Sequence, residues 1–186
     1  TFIESMRKKL GENTIFIITS DHGEGLRDHP SVGGSTRHGN LLYQSHIHVP
    51  LIFLGPESLL GPYGERSQLV ELIDVFPTVT SLAGATNPKA IDGESLRPIM
   101  SDPRRASPSQ YAFSETMWRK RVRKQSITDA EWMYIENQDE WKGTAPEELQ
   151  QFNGAQDGVE TSRIEAYPEK TNHLQKTLEN INVSMQ

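Results

Sequence analysis

Thr14-Ile15-Phe16-Ile17-Ile18-Thr19 runs without a break into Ser20-Asp21-His22-Gly23-Glu24-Gly25. Residues 14–19 are all β-branched or aromatic and show no polar alternation. That pattern predicts a strand buried on both faces, as in a parallel sheet. Asp21 and His22 then fall just past the strand's carboxyl end, where open α/β sheets bind ligands. A carboxylate beside a neutral imidazole makes a good ligand pair for a divalent cation. Gly23 allows the backbone a tight turn next to them.

The flanking sequence extends this picture. Phe2, Ile3, Met6 and Leu10 recur at helical spacing, and Gly11 supplies a C-cap. Helix 2–10, turn 11–13 and strand 14–19 make half of a crossover, which implies an earlier strand in a longer protein. Residues 21–39 form a polar loop with glycines at 23, 25, 33, 34 and 39. A loop of this length in a compact domain is functional or disordered, and the motif at its start favours function. Val49-Pro50-Leu51-Ile52-Phe53-Leu54 reads as a second buried strand, a neighbour of the first in one mixed or parallel sheet. Residues 67–71 suggest a short strand. Asp74 reads as the N-cap of a helix over 75–83, closed by Gly84.

Composition changes near Asp102-Pro103-Arg104-Arg105 and Ser107-Pro108-Ser109, which read as a linker. Strand-like runs follow at 110–116, 121–128 and 131–136. Residues 138–162 are polar and poorly patterned. Leu174, Leu178 and Ile181 predict a terminal helix starting near Pro168. The expected layout is an α/β domain over 1–101 and a small antiparallel sheet with a helix over 102–186.

The bulk numbers exclude several classes. With 19 Lys+Arg against 25 Asp+Glu, the net charge of −6 argues against general nucleic-acid binding. There is no cysteine, hence no disulfide framework and no thiolate metal site. No apolar run approaches the ~18 residues of a membrane helix. A mean hydropathy of −0.61 is polar for a globular domain. It points to large loops, or to a surface covered by something outside this sequence.

The block from Thr14 to Pro56, TIFIITSDHGEGLRDH and then RHGNLLYQSHIHVPLIFLGP, resembles the sulfatases of the alkaline phosphatase superfamily. The likeness continues through LVELIDVFPTVTSLAGA and IDGESLRPIM, is specific over residues 1–101, and is looser beyond. The resemblance implies the carboxyl-terminal part of an alkaline-phosphatase-like α/β sandwich, followed by a smaller sheet-and-helix subdomain. It implies a divalent cation held by Asp21 and His22: calcium first, with magnesium, manganese or zinc also open. Two further Asp ligands and the nucleophile would come from an amino-terminal half absent here. That nucleophile would be a formylglycine made from Cys or Ser. The implied reaction is hydrolysis of a sulfate ester, of a small molecule or a glycan. Phosphodiesterases, phosphonate ester hydrolases and phosphoethanolamine transferases resemble the same block. A degenerate, non-catalytic member is the remaining alternative. The resemblance is compatible with a periplasmic, secreted or lysosomal protein, and the sequence does not choose among them.

Each candidate has a plainer reading beside it. A bare Asp-His pair is more often a loop cap and a packed histidine, and the surrounding block reverses that preference for Asp21 and His22. The resemblance implies a cationic or hydrogen-bonding residue shortly before Tyr43, and His38 is the candidate. It would donate to the bound oxyanion or protonate the leaving alcohol, and otherwise it is a loop histidine. Glu24 matches a recurrent family position, where a hydrogen bond to His22 would orient the ring. Asp28 and His29 read as solvated loop residues. His46 and His48 alternate on an extended approach to the second strand and read as structural. His173 reads as solvated. Arg119-Lys120-Arg121-Val122-Arg123-Lys124 reads as a solvated strand or hairpin, and Trp118, Trp132 and Trp141 as sheet-packing residues.

Overall fold

The computed structural model describes residues 1–26, 41–118, 122–138, 145–152 and 162–184. The chain divides into two compact units, Thr1–Ser20 with Pro50–Gln110, and Asp21–Val49 with Tyr111–Gln186.

In the first unit, α1 (Phe2–Leu10) opens with a capping box. Thr1 Oγ1 accepts the Glu4 amide at 3.3 Å, and the Glu4 carboxylate accepts the Thr1 amine at 2.6 Å. Gly11 ends the helix at φ 92°, as the spacing predicts. Strand β1 (Phe16–Thr19) pairs with β2 (Leu51–Leu54), with Phe16 opposite Leu54 and Ile18 opposite Ile52. The strands are neighbours, as expected, but they pair antiparallel as a two-stranded sheet, and no parallel pair accompanies them among the described residues. The expected two-sided burial is not met: Ile18 and Ile52 stay 40% and 43% exposed, because no further strand flanks the pair among the described residues.

Short helix α3 (Glu57–Leu60), helix α4 (Val75–Leu82) and helix α5 (Arg97–Ser101) complete this unit. Residues 67–71, expected as a strand, have no regular structure. Their backbone is held by side chains instead: the Leu69 amide donates to Ser107 Oγ at 3.0 Å. Asp74 stands at the N-cap position of α4, but its side chain makes no capping hydrogen bond to that helix. It closes a single 3-10 turn, Leu72–Asp74, and its buried carboxylate accepts the Glu71 amide at 2.9 Å and the Glu94 amide at 2.8 Å. Its carbonyl accepts Thr78 Oγ1 at 2.6 Å, and that hydroxyl accepts the Leu96 amide at 2.8 Å. Gly93 allows the approach, since a Cβ there would stand 2.2 Å from the Ile73 carbonyl oxygen. Arg66 crosslinks the same region by donating to the carbonyls of Pro62, Ile99 and Met100.

The second unit is built on an antiparallel meander in the order β3 (Ala112–Trp118), β4 (Val122–Thr128), β5 (Trp132–Asn137), β6 (Glu147–Gln151). Strand alternation splits its residues between two faces. On one face Ile127, Trp132, Tyr134 and Leu149 pack against Leu174 and Leu178 of α6 (Pro168–Ser184). On the other face Met133 and Ile135 pack against Leu41, Leu42 and Tyr43. Helix α2 (Gln44–Ile47) follows directly. The sheet and terminal helix match the expectation, with one strand more than the sequence indicates.

Lys124 shares the second face and is only 1% exposed, unlike the solvated strand expected of the basic run. Burial lowers its pKa to about 8, against a smaller opposing pull from Glu148. Between about pH 8 and its ordinary value of 10.5, the native amine has shed a proton that the unfolded chain retains. Native stability therefore rises with pH across that window, and the cost of burying the charge is fully present below it. We expect the unfolding free energy of the parent minus that of Lys124→Met to climb between about pH 8 and 10.5, measured by urea denaturation. A flat difference across the window would contradict this assignment.

Candidate metal-binding loop

Asp21 begins the loop that follows β1, and it orders the start of that loop by itself. Its Oδ1 accepts the amide of the next residue, His22, at 3.0 Å. His22 Nδ1 lies 2.9 Å from the Gly23 carbonyl oxygen. A carbonyl can only accept, so this contact assigns the ring proton to Nδ1 and the lone pair to Nε2. Nε2 is directed toward Asp21 Oδ2 at 3.7 Å.

The pair is accessible, with side-chain exposures of 86% for Asp21 and 43% for His22. The donor set suits a divalent cation. The 3.7 Å separation is shorter than two metal–ligand bonds of roughly 2.0–2.4 Å end to end, so one ion can reach both atoms. Imidazole ligands characteristically donate their second ring N–H to a backbone carbonyl or carboxylate, and His22 does so to Gly23. Among the described residues no group of three or more His, Cys, Asp or Glu could hold a metal.

Gly23 fixes where this loop goes. Its amide donates to the His46 carbonyl at 2.7 Å. A Cβ at Gly23 would stand 2.0 Å from the Ser45 carbonyl oxygen, so the contact requires glycine. His46, Ile47 and His48 are expected on an extended approach to the second strand, but Gln44–Ile47 forms a helical turn that takes in the first two. The Tyr43 carbonyl accepts the amides of His46 at 2.8 Å and Ile47 at 3.1 Å. That turn buries His46 and leaves His48 exposed. His46 lies against Tyr43 edge-on, with ring centroids 6.5 Å apart, and Ser45 Oγ meets its Nδ1 at 3.0 Å. The structural reading of His46 therefore fits its surroundings. Leu26 adopts a left-handed backbone at φ 44°, a costly conformation for a branched side chain.

Glu24 is exposed. His38 lies outside the described residues, as do Asp28, His29 and the first part of the basic run, Arg119 to Arg121. Sequence reasoning missed the support beneath the loop: Glu148, whose carboxylate accepts the Tyr43 hydroxyl at 3.0 Å, and Lys124 and Asn137 around it. Strand alternation in β4 held a usable signal, because it puts Lys124 and Ser126 opposite the face that carries Ile127.

Comparison with known proteins follows this geometry. Residues 1–85, which include the Asp21–His22 loop, match the family model "Sulfatase". Arylsulfatase K of Danio rerio is 31% identical over 173 residues, which is 90% of this chain and 31% of that protein. Delta 4,5-hexuronate-2-O-sulfatase of Bacteroides thetaiotaomicron is 33% identical over 110 residues, 56% of this chain and 21% of that protein. A structure solved in complex with its substrate D-glucosamine-2-N,6-O-disulfate superposes with a TM-score of 0.80 at 20% identity. That superposition covers 97% of this chain and 36% of the other, and it shows likeness of fold. The chain thus spans about a third of the length of such relatives.

The Gly23 contact is testable directly. Gly23→Ala should displace the loop and break its hydrogen bond to His46. Amide exchange of His22 and Glu24, read by NMR or mass spectrometry, should then rise by about tenfold or more, while β5 amides stay protected. Unchanged protection in the loop would contradict the close approach described here.

Proposed function

We propose that this chain, which matches the sulfatase family model over residues 1–85, is the carboxyl-terminal portion of a metal-dependent sulfuric ester hydrolase. The nucleophile, a formylglycine, and two further carboxylate ligands would lie in sequence outside these 186 residues. The observation that carries the reading is the local order at Asp21 and His22. The ring proton is engaged by Gly23, so Nε2 presents its lone pair beside a carboxylate oxygen.

Asp21 and His22 would hold the cation, with calcium the first choice for a site rich in carboxylates. When bound, the cation would neutralise charge on the ester's sulfate oxygens and favour the ionised nucleophile. Asp21 contributes charge, and its Oδ1 keeps the His22 backbone in place. His22 contributes a neutral nitrogen whose tautomer is set by the Gly23 carbonyl. His38 would donate a hydrogen bond to the sulfate oxyanion or a proton to the departing alcohol. Glu24 would contribute from the loop's outer edge, supporting the ring of His22. A sulfated sugar is the substrate class favoured by two proteins like this one, a hexuronate-2-O-sulfatase and a protein bound to a disulfated glucosamine.

In the full-length protein, Asp21→Ala and His22→Ala should each strip the cation and abolish hydrolysis of a sulfated disaccharide. Metal content by elemental analysis and sulfate release by ion chromatography are the two readouts. A double variant with parental metal content and turnover would overturn the site. Faster turnover of a phosphonate monoester than of any sulfate ester would overturn the reaction class.

His38→Ala in the same protein should lower turnover by roughly 10²–10³, the loss expected for one oxyanion donor. Its metal content should be unchanged. Full activity on the native ester would remove His38 from the mechanism.

A further inference from the structure

The buried polar residues on the small sheet are not used by the chemistry proposed above. Lys124 is 1% exposed, Asn137 6% and Glu148 7%, all on the face that Leu41, Leu42 and Tyr43 cover. Glu148 accepts the Tyr43 hydroxyl at 3.0 and 3.2 Å, and its Oε1 accepts Asn137 Nδ2 at 2.9 Å. Asn137 Nδ2 also donates to the Ala145 carbonyl at 2.7 Å. Lys124 supplies the opposite charge. A buried carboxylate is costly unless paired and hydrogen-bonded, and an apolar side chain would pack this face at lower cost. What the carboxylate adds is direction: it accepts from one particular hydroxyl.

That hydroxyl belongs to the residue on which the metal-binding loop rests. Tyr43 is 3% exposed, and its own carbonyl starts the turn 44–47 by accepting the His46 and Ile47 amides. The turn aims the His46 carbonyl at the Gly23 amide, 2.7 Å away. The Gly23 carbonyl in turn engages His22 Nδ1 at 2.9 Å. Every contact in this series lies within one compact unit.

We propose that Tyr43 and Glu148 are positioning residues, which fix the orientation of His22 toward the cation through the 44–47 turn and the Gly23 backbone. This rests on the metal reading of Asp21 and His22. The roles are indirect: neither residue touches cation or substrate. Outer partners of metal ligands typically change affinity by about 10–100-fold when removed.

The test uses full-length protein with Tyr43→Phe, which keeps the ring's packing and removes only the hydroxyl. Calcium chloride is titrated by calorimetry, and amide exchange is followed in parallel. The expected result is calcium affinity lower by about 10–100-fold and faster exchange at Gly23, with Met133 and Ile135 of β5 at parental rates. Parental affinity and parental Gly23 exchange would overturn the proposal. So would equal acceleration at Gly23 and along β5, the mark of a merely structural role. Glu148→Gln, which keeps the shape and one acceptor oxygen, should give smaller changes in the same direction, and it decides the matter if Tyr43→Phe does not fold. Asp21→Ala is the control. If that variant keeps parental calcium affinity, the metal reading fails, and Gly23 exchange in Tyr43→Phe alone then decides whether the support exists.

Discussion

The bond from the Gly23 amide to the His46 carbonyl sets the geometry of the loop, and it exists only because residue 23 has no side chain. Two backbone segments meet there at a distance that any Cβ would prevent. His22 is oriented from this point, since its ring proton is engaged by the carbonyl of the same glycine. The other side of the contact is a single helical turn, far too short to be stable alone. It persists because Leu41, Leu42 and Tyr43 lead into it from their packing against Met133 and Ile135 of a four-stranded sheet. The loop's order is therefore borrowed from strands that lie far along the chain.

Much of the fold was legible because apolar spacing carried it. Helices α1, α4 and α6 and strands β1, β2 and β5 show periodic or continuous apolar runs. Strand β6 does not. Its sequence Glu147-Glu148-Leu149-Gln150-Gln151 has one apolar residue, and the face opposite α6 buries Glu148 and Gln150. A strand that buries polar side chains is invisible to hydrophobic patterning, and its partner residues are remote in sequence. The turn 44–47 failed for another reason: four residues are too few to show a helical period. Lys124 was hidden by its charged neighbours. Arg123, half-exposed on the face that α6 covers, meets Glu115 at 3.3 Å, while the next residue along the strand is buried on the other face.

The Asp21–His22 pair was legible from residue type and from its place after a strand. Its detail was not, because the partner of the ring is a backbone carbonyl, and backbone contacts leave no compositional trace. Asp74 shows the same limit in the other unit. Its type announced a cap for the helix that follows, and its carboxylate instead accepts an amide three residues back and another from a segment twenty residues on, reached through the gap at Gly93. In both units a buried polar group governs where a loop runs, and apolar packing governs whether the loop is covered.

The path of the chain through its two units has a consequence for biosynthesis. Residues 21–49 leave the ribosome before residues 111–186, which complete their unit. Tyr43 and Glu148 are separated by 105 positions, so the nascent loop must wait for those residues before its turn is braced. The stretch matched by the family model ends at residue 85, well before that brace is made. A nascent chain paused anywhere before β5 would hold Leu41 and Leu42 without the sheet that covers them. Such a chain is a natural client for chaperones and proteases, and a premature stop beyond residue 85 would be felt first in the Asp21–Val49 segment, far upstream of the stop.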